Sequence, residues 1–227
     1  MKTITKTILA ISLGICLFAC KKSSTVYTAS GAINVVNVVV GGTSLYLNNS
    51  TTGAVSNNGA ATFPLLAGQV QVNLSTLATT TVPSVTYYNQ LISMTETGNI
   101  SLFLSGASPA NVDTTRINET YKNYADSLCG VRFINLAPGS KPISVNLKGS
   151  ANGSEVTNLA YRSYSDFIQY TAKVANPSYV FEIRDAATGS LIISYTLATP
   201  YFHNVTIALR GLVGGSPAAG VTLVSHP

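Results

Sequence analysis

The sequence predicts an all-β protein, two tandem β-sandwiches behind a removable N-terminal leader. Three observations carry this: a composition suited to strands, side chains that alternate along many short segments, and one internal repeat. Charged residues are only 9% of the 227-residue chain, against the usual ~25%. Ser, Thr, Asn and Gly supply the polarity, and the 12 Tyr with abundant Val and Ile suit pleated sheets.

The leader comes first in the chain. Lys2 and Lys6 precede an apolar run from Ile8 to Ala19, the length of a signal-peptide core and too short for a comfortable membrane span. Leu17-Phe18-Ala19-Cys20 resembles the lipobox of bacterial lipoproteins, although Phe18 is bulkier than usual at its position. The resemblance implies cleavage of residues 1–19 and lipidation of the Cys20 sulfur, with residues 20–30 as a Ser/Thr-rich tether. Several acyl chains on one cysteine suffice for stable anchoring at roughly 0.8 kcal/mol per buried CH₂. Lys21 stands where inner-membrane lipoproteins often carry Asp, so the outer membrane is the expected address. No acidic surface-export tag follows, so which face the domains occupy stays open.

The formal charge of +5 overstates the basicity of the folded part. Two lysines leave with the leader, and Lys21 and Lys22 sit beside the membrane. The remainder is nearly neutral and lacks the concentrated basic face that nucleic acid requires. Cys16 is removed and Cys20 acylated, which leaves Cys129 alone. No intrachain disulfide can form, so the hydrophobic cores must hold the fold, and Cys129 itself reads as a small buried hydrophobe.

The repeat is read by aligning the halves. Ile33-Asn34-Val35-Val36-Asn37 through Gly41-Gly42 matches Val131-Arg132-Phe133-Ile134-Asn135 through Gly139-Ser140. Gly98-Asn99-Ile100 through Gly106 matches His203-Asn204-Val205 through Gly211. Ser108-Pro109-Ala110 matches Ser216-Pro217-Ala218. Within each copy, short rows alternate: Val70, Val72, Leu74 and Ile100, Leu102, Leu104 in the first; Tyr179, Phe181, Ile183, then Leu191, Ile193, Tyr195, Leu197, then Val205, Ile207, Leu209 in the second. Period-2 alternation turns these rows into a core and leaves Thr206, Ala208 and Arg210 facing out. About seven strands per copy, separated by turns such as Asp185–Ser190, is a sandwich signature. Domains are expected at 31–117 and 128–227. Between them, 118–127 reads as a linker or a short helix, since Ile117, Tyr121, Tyr124 and Leu128 also fit one helical face.

Val131 through Gly139, Ile143 through Gly149, and Asn158-Leu159-Ala160-Tyr161 resemble the domain of unknown function number 4397, common in exported bacterial proteins. The resemblance implies an immunoglobulin-like sandwich in each copy. It is stronger in the second, because Val38-Val39-Val40 replaces the Ala-Pro step in the first. It brings no catalytic residues.

The catalytic inventory is thin. Two histidines, His203 and a penultimate His226 expected to be loose, do not make a metal site with one thiol. No Gly-x-Ser-x-Gly elbow supports a triad, no Gly-x-x-x-x-Gly-Lys cradles phosphate, and no pair stands out among the eight carboxylates, which read as solvated. No catalytic residue, cofactor or metal is therefore expected. Tyr87, Tyr88, Tyr161 and Tyr164 are the candidate rings for stacking on a glycan or protein. Asp113-Thr114-Thr115 and Asp126-Ser127-Leu128 resemble an O-glycosylation acceptor motif of exported bacterial proteins, with Thr114 and Ser127 as acceptors. The function these features suggest is non-enzymatic: a lipid-anchored envelope protein for adhesion, matrix, or contact with an envelope protein or glycan. The alternatives are a carbohydrate-active enzyme with a site between the domains, and an accessory subunit of an outer-membrane uptake complex.

Overall fold

A computed structural model describes residues 29–124, 127–198 and 203–226. Cys20 and the leader lie outside them. The described residues form strands and no helix. The first seven strands are β1 (Ser30–Asn37), β2 (Tyr46–Leu47), β3 (Gly59–Leu66), β4 (Gly68–Ser75), β5 (Thr86–Met94), β6 (Asn99–Ser108) and β7 (Asn111–Glu119). The next eight are β8 (Leu128–Asn135), β9 (Ile143–Leu147), β10 (Val156–Leu159), β11 (Ile168–Thr171), β12 (Ser178–Asp185), β13 (Leu191–Ala198), β14 (Asn204–Arg210) and β15 (Gly220–His226). Thr120–Tyr124 carry no regular element, so the helical reading of that stretch fails there.

Each group builds one sandwich. Sheets β3-β1-β6-β7 and β2-β4-β5 enclose the first core, and sheets β11-β8-β14-β15 and β10-β9-β12-β13 the second. The architecture is the two-sheet packing expected of an immunoglobulin-like unit, with a strand order of its own. Immunoglobulin sheets are antiparallel with order ABED and CFG. Here β1 runs parallel to β6, and β8 parallel to β14, at the centre of a sheet.

The sequence repeat reappears as register. Ala32 pairs with Asn99, and its equivalent Gly130 pairs with Asn204. Gly41 and Gly139 both hold positive φ, at 67° and 73°, and so do Gly106 and Gly211, at 139° and 75°. These are backbone states that a side chain disfavours. Asn37 and Asn135 are wholly buried and serve the same turn. Asn37 Nδ2 donates to the Thr43 carbonyl at 2.9 Å, and Asn135 Nδ2 to Ser140 Oγ at 3.0 Å. Asn135 Oδ1 accepts from the Ala137 amide at 3.2 Å.

One expectation from alternation is corrected. Val205, Ile207 and Leu209 do enter the second core, but Thr206 and Ala208 are also fully buried. So are Val36 and Phe103. The reason is a third apolar cluster, Val36, Val38, Phe103 and Ile117 from the first sandwich against Ile134, Leu136, Ala208 and Val224 from the second. The central sheets pack face to face, and the molecule is a stack of four sheets. The row that begins at Leu191 also departs from expectation. The register shifts between Ile183 and Arg184, so Ile192 is the extra residue and Leu191 is left exposed. Such a bulge flips side chains beyond it.

Both copies point the same way across this seam. Near the starts of β1 and β8, Arg132 meets Glu119 and Asn34 meets the Ser225 carbonyl. Level with the ends of β1 and β8, Ser105 on β6 meets Tyr161, and the Asn58 carbonyl meets Thr222 on β15. The loops after β1, β4 and β6, and those after β8, β12 and β14, therefore gather at the end away from Ser30, where the chain enters.

Candidate functional site

The seam holds the strongest polar arrangement among the described residues. Arg132 on β8 forks onto Glu119 at the end of β7. Nη1 donates to Oε2 at 2.9 Å and Nη2 to Oε1 at 2.6 Å, with the side chains 3% and 2% exposed. Its Nε donates to Thr206 Oγ1 at 3.0 Å. The planar fork matches a carboxylate, which is why Arg rather than Lys suits this position. The Phe167 ring lies 4.5 Å from the guanidinium carbon and Tyr164 5.7 Å.

From Thr206 the chain of hydrogen bonds runs on through His226 to Tyr121. Thr206 Oγ1 accepts from Arg132, so its hydroxyl proton is free to go to His226 Nε2, 2.8 Å away. In that tautomer Nε2 accepts and Nδ1 donates to the Tyr121 hydroxyl at 3.0 Å; in the other, Tyr121 donates to Nδ1 and Nε2 donates to Thr206 Oγ1, which has a second lone pair. Tyr121 stacks on the imidazole with centroids 5.1 Å apart. Burial, and then the Arg132 charge, push the His226 pKa down to about 4. Burial, and then the Glu119 charge, push Tyr121 up to about 12. The expectation of a loose His226 is thus overturned: it is 3% exposed, clamped between strand and linker. Glu119 likewise departs from the solvated carboxylate expected.

At the other end of the seam, Tyr161 donates its proton to Asp113 Oδ2 at 3.0 Å, which leaves Ser105 to donate to the phenol oxygen at 2.9 Å. Burial is the main cause that lifts the Tyr161 pKa to about 12. Arg162 Nη2 donates to the Thr114 carbonyl at 2.7 Å. One segment of the second sandwich, 161–167, therefore grips the edge of the first. Beside it opens a cleft of about 240 Å³, lined by Ile117, Asn118, Glu119, Thr120, Arg132, Tyr164, Ser165, Asp166 and Phe167.

No protein-family model matches the chain, and no curated protein matches it. Among solved structures, the chain is similar to a crystal structure of CBMbc (family CBM26) from Eubacterium rectale Amy13K in complex with maltoheptaose. The identity is 11% over 87% of this chain and 97% of that one, with a TM-score of 0.28. At that level the likeness says nothing of this chain's ligand.

The four candidate tyrosines separate. Tyr87 and Tyr88 are 7% and 8% exposed and both lie in the first core. The register shifts between Leu74 and Ser75, and this bulge brings both adjacent rings inward where a regular strand would split them. They offer no ring face to a partner. Tyr161 is a seam residue. Tyr164 is 44% exposed at the mouth of the cleft and is the one candidate ring still open to a ligand. Thr114 and Ser127 are partly buried. The Thr114 carbonyl is held by Arg162, and Ser127 has φ 73° with its carbonyl accepting from the Ala172 amide. Cys129 is buried, and burial raises its pKa to about 11, which suits the hydrophobic role read from sequence. Among the described residues, no three of His, Cys, Asp and Glu converge as a metal site. Glu182 is held below the usual carboxylate range by hydrogen bonds from Arg184 and Asn146, and Asp185 by the Thr188 amide. Sequence reasoning missed the Arg132–Glu119 pair, because the two belong to different copies and the seam was not foreseen.

Proposed function

We propose that this chain is a lipid-anchored envelope protein with a binding or structural role, displaying two fused sandwiches as one body. The observation that carries the reading is the seam. It aligns both copies so that their loops project from the end opposite Ser30, where a tether on Cys20 would enter. A partner approaching from that side meets loops of both sandwiches at once. The cleft at Tyr164 is the surface best suited to a glycan, because it combines an exposed ring with Asn118, Thr120 and Asp166 in a sugar-sized space. Ring faces supply apolar area, and flanking amides and carboxylates fix orientation.

An enzyme at the junction would need two working carboxylates there. Glu119 spends both oxygens on Arg132, and Asp113 serves Tyr161 and Arg162. Asp166 lines the cleft without a second free carboxylate beside it among the described residues, which favours binding over catalysis.

Fractionation of cells carrying Cys20→Ala tests the anchor: the variant should leave the membrane fraction, and its persistence there would contradict acylation. Glycan arrays and envelope pull-downs with wild type and Tyr164→Ala test the site. Signal that drops at least tenfold in the variant supports the cleft, whereas equal signal moves binding elsewhere. Blank arrays and pull-downs would leave a spacer role alone.

A further inference from the structure

Each sandwich presents the same face to the other. Under the repeat, Val36 corresponds to Ile134, Val38 to Leu136 and Phe103 to Ala208. Ile117 pairs with Ser101 as Val224 pairs with Thr206, so those two correspond as well. All eight members of the seam cluster are therefore four equivalent pairs. Glu119 opposite Asn99 corresponds in the same way to His226 opposite Asn204. This is the geometry of an isologous two-fold contact, in which a patch meets its own equivalent. Nothing in such a contact requires the two patches to share a chain.

Three equivalent positions differ sharply in size or charge, and each of these differences favours unlike pairing. Phe103 and Ala208 share the seam cluster, where one large and one small side chain fill a space that two phenylalanines would overfill and two alanines would leave empty. Arg132 faces Glu119, whereas two second copies would set each Arg132 against a His226 in place of that carboxylate. Two first copies would offer Glu119 only Asn34, the counterpart of Arg132. A first sandwich thus selects a second sandwich, whichever chain carries it.

We propose that the seam is an exchangeable interface whose outside partner is a second copy of this chain. In the exchanged pair the first sandwich of each molecule packs on the second sandwich of the other, and every seam contact is kept. The connection permits it. Tyr121 is fixed to His226, Lys122 Nζ to Gln169 at 3.2 Å, and the Lys122 carbonyl to Asn204 Nδ2 at 3.0 Å. These residues travel with the second sandwich, and the hinge falls at exposed Thr120 directly after β7.

The test uses two full-length chains, one Glu119→Arg and one Arg132→Glu. Alone, each places like charges across its seam. Mixed, a reciprocal pair regains opposite charges at both seams. The expected result is two unstable monomers that combine one-to-one into a species of twice the mass by sedimentation, with an unfolding midpoint near wild type. A chain carrying both substitutions should be a monomer of recovered stability. Phe103→Ala and Ala208→Phe repeat the design by size instead of charge. A mixture that stays monomeric in both designs overturns the proposal. Doubly substituted chains that fail to recover overturn it equally, since the seam must read only the complementarity of the side chains that face each other.

Discussion

Replacing Arg132 with Ala removes one guanidinium and strands one buried carboxylate. In the native seam that guanidinium makes two short bonds to Glu119 and a third to Thr206, with Phe167 against its face. Both side chains of the ion pair are almost completely shielded. Breaking a buried pair from one side costs about 3–5 kcal/mol, because the remaining charge keeps its desolvation penalty and loses its partner. The lost ring contact adds about 0.5–2 kcal/mol. A loss of about 4–7 kcal/mol is therefore expected, a large share of the ~5–15 kcal/mol that holds a typical domain. Removing both charges with apolar residues of similar size behaves differently, since nothing charged is left behind. Arg132→Met with Glu119→Leu should lie within about 1 kcal/mol of wild type. Urea unfolding of wild type, both single variants and the double variant gives the coupling energy from one thermodynamic cycle. A loss under about 1 kcal/mol for Arg132→Ala, or a double variant as unstable as the single, would refute the buried-pair argument.

Three further outcomes follow from the same packing. His226 titrates near 4 in the fold against an ordinary 6.5, so the unfolded chain takes up the proton first; stability should be full above about pH 6.5 and fall by about 3 kcal/mol as pH drops to about 4. Urea midpoints of wild type and His226→Gln should therefore converge as pH falls over that window, and parallel curves would contradict it. Phe103→Ala empties the seam and should cost about 3–5 kcal/mol by thermal or urea unfolding. Gly106→Ala should be destabilised by about 2 kcal/mol or more, since its φ is 139° and an added Cβ would lie 2.0 Å from the Asn111 carbonyl oxygen; an unchanged midpoint would mean that the register shift of β6 against β7 between Ser105 and Ser108 relaxes freely.

The sandwiches were legible because their determinants are local. Alternation at Ile100, Leu102 and Leu104 needs only one strand, and Gly41 with Gly139 needs only one turn. The matched Gly106 and Gly211 sit at equivalent bends, and Asn37 and Asn135 at equivalent caps. The seam was illegible for the opposite reason. Its residues are outward positions of strands already assigned an inner face, and several are small or polar, such as Thr206 and Ala208. Only the run Val35–Val40, interrupted by Asn37 alone, hinted at burial on both faces, as fully covered strands read. Arg132 and His226 had the polarity of ordinary surface residues, and nothing in their own neighbourhood revealed a partner on the other copy. Adjacent Tyr87 and Tyr88 misled because a bulge, which leaves no reliable mark in one sequence, broke the rule that neighbours point apart.

Nitroxides at Gln90→Cys on β5 and Thr196→Cys on β13, both exposed on the outer sheets, measure the seam directly by pulsed electron paramagnetic resonance. Four stacked sheets at about 10 Å spacing put the two backbones roughly 30 Å apart through the stack. One narrow distance distribution, broadening when Phe103→Ala is added, is the result that the fused body requires. A broad distribution in the otherwise unaltered chain would mean that the sandwiches tumble separately and that the seam does not hold.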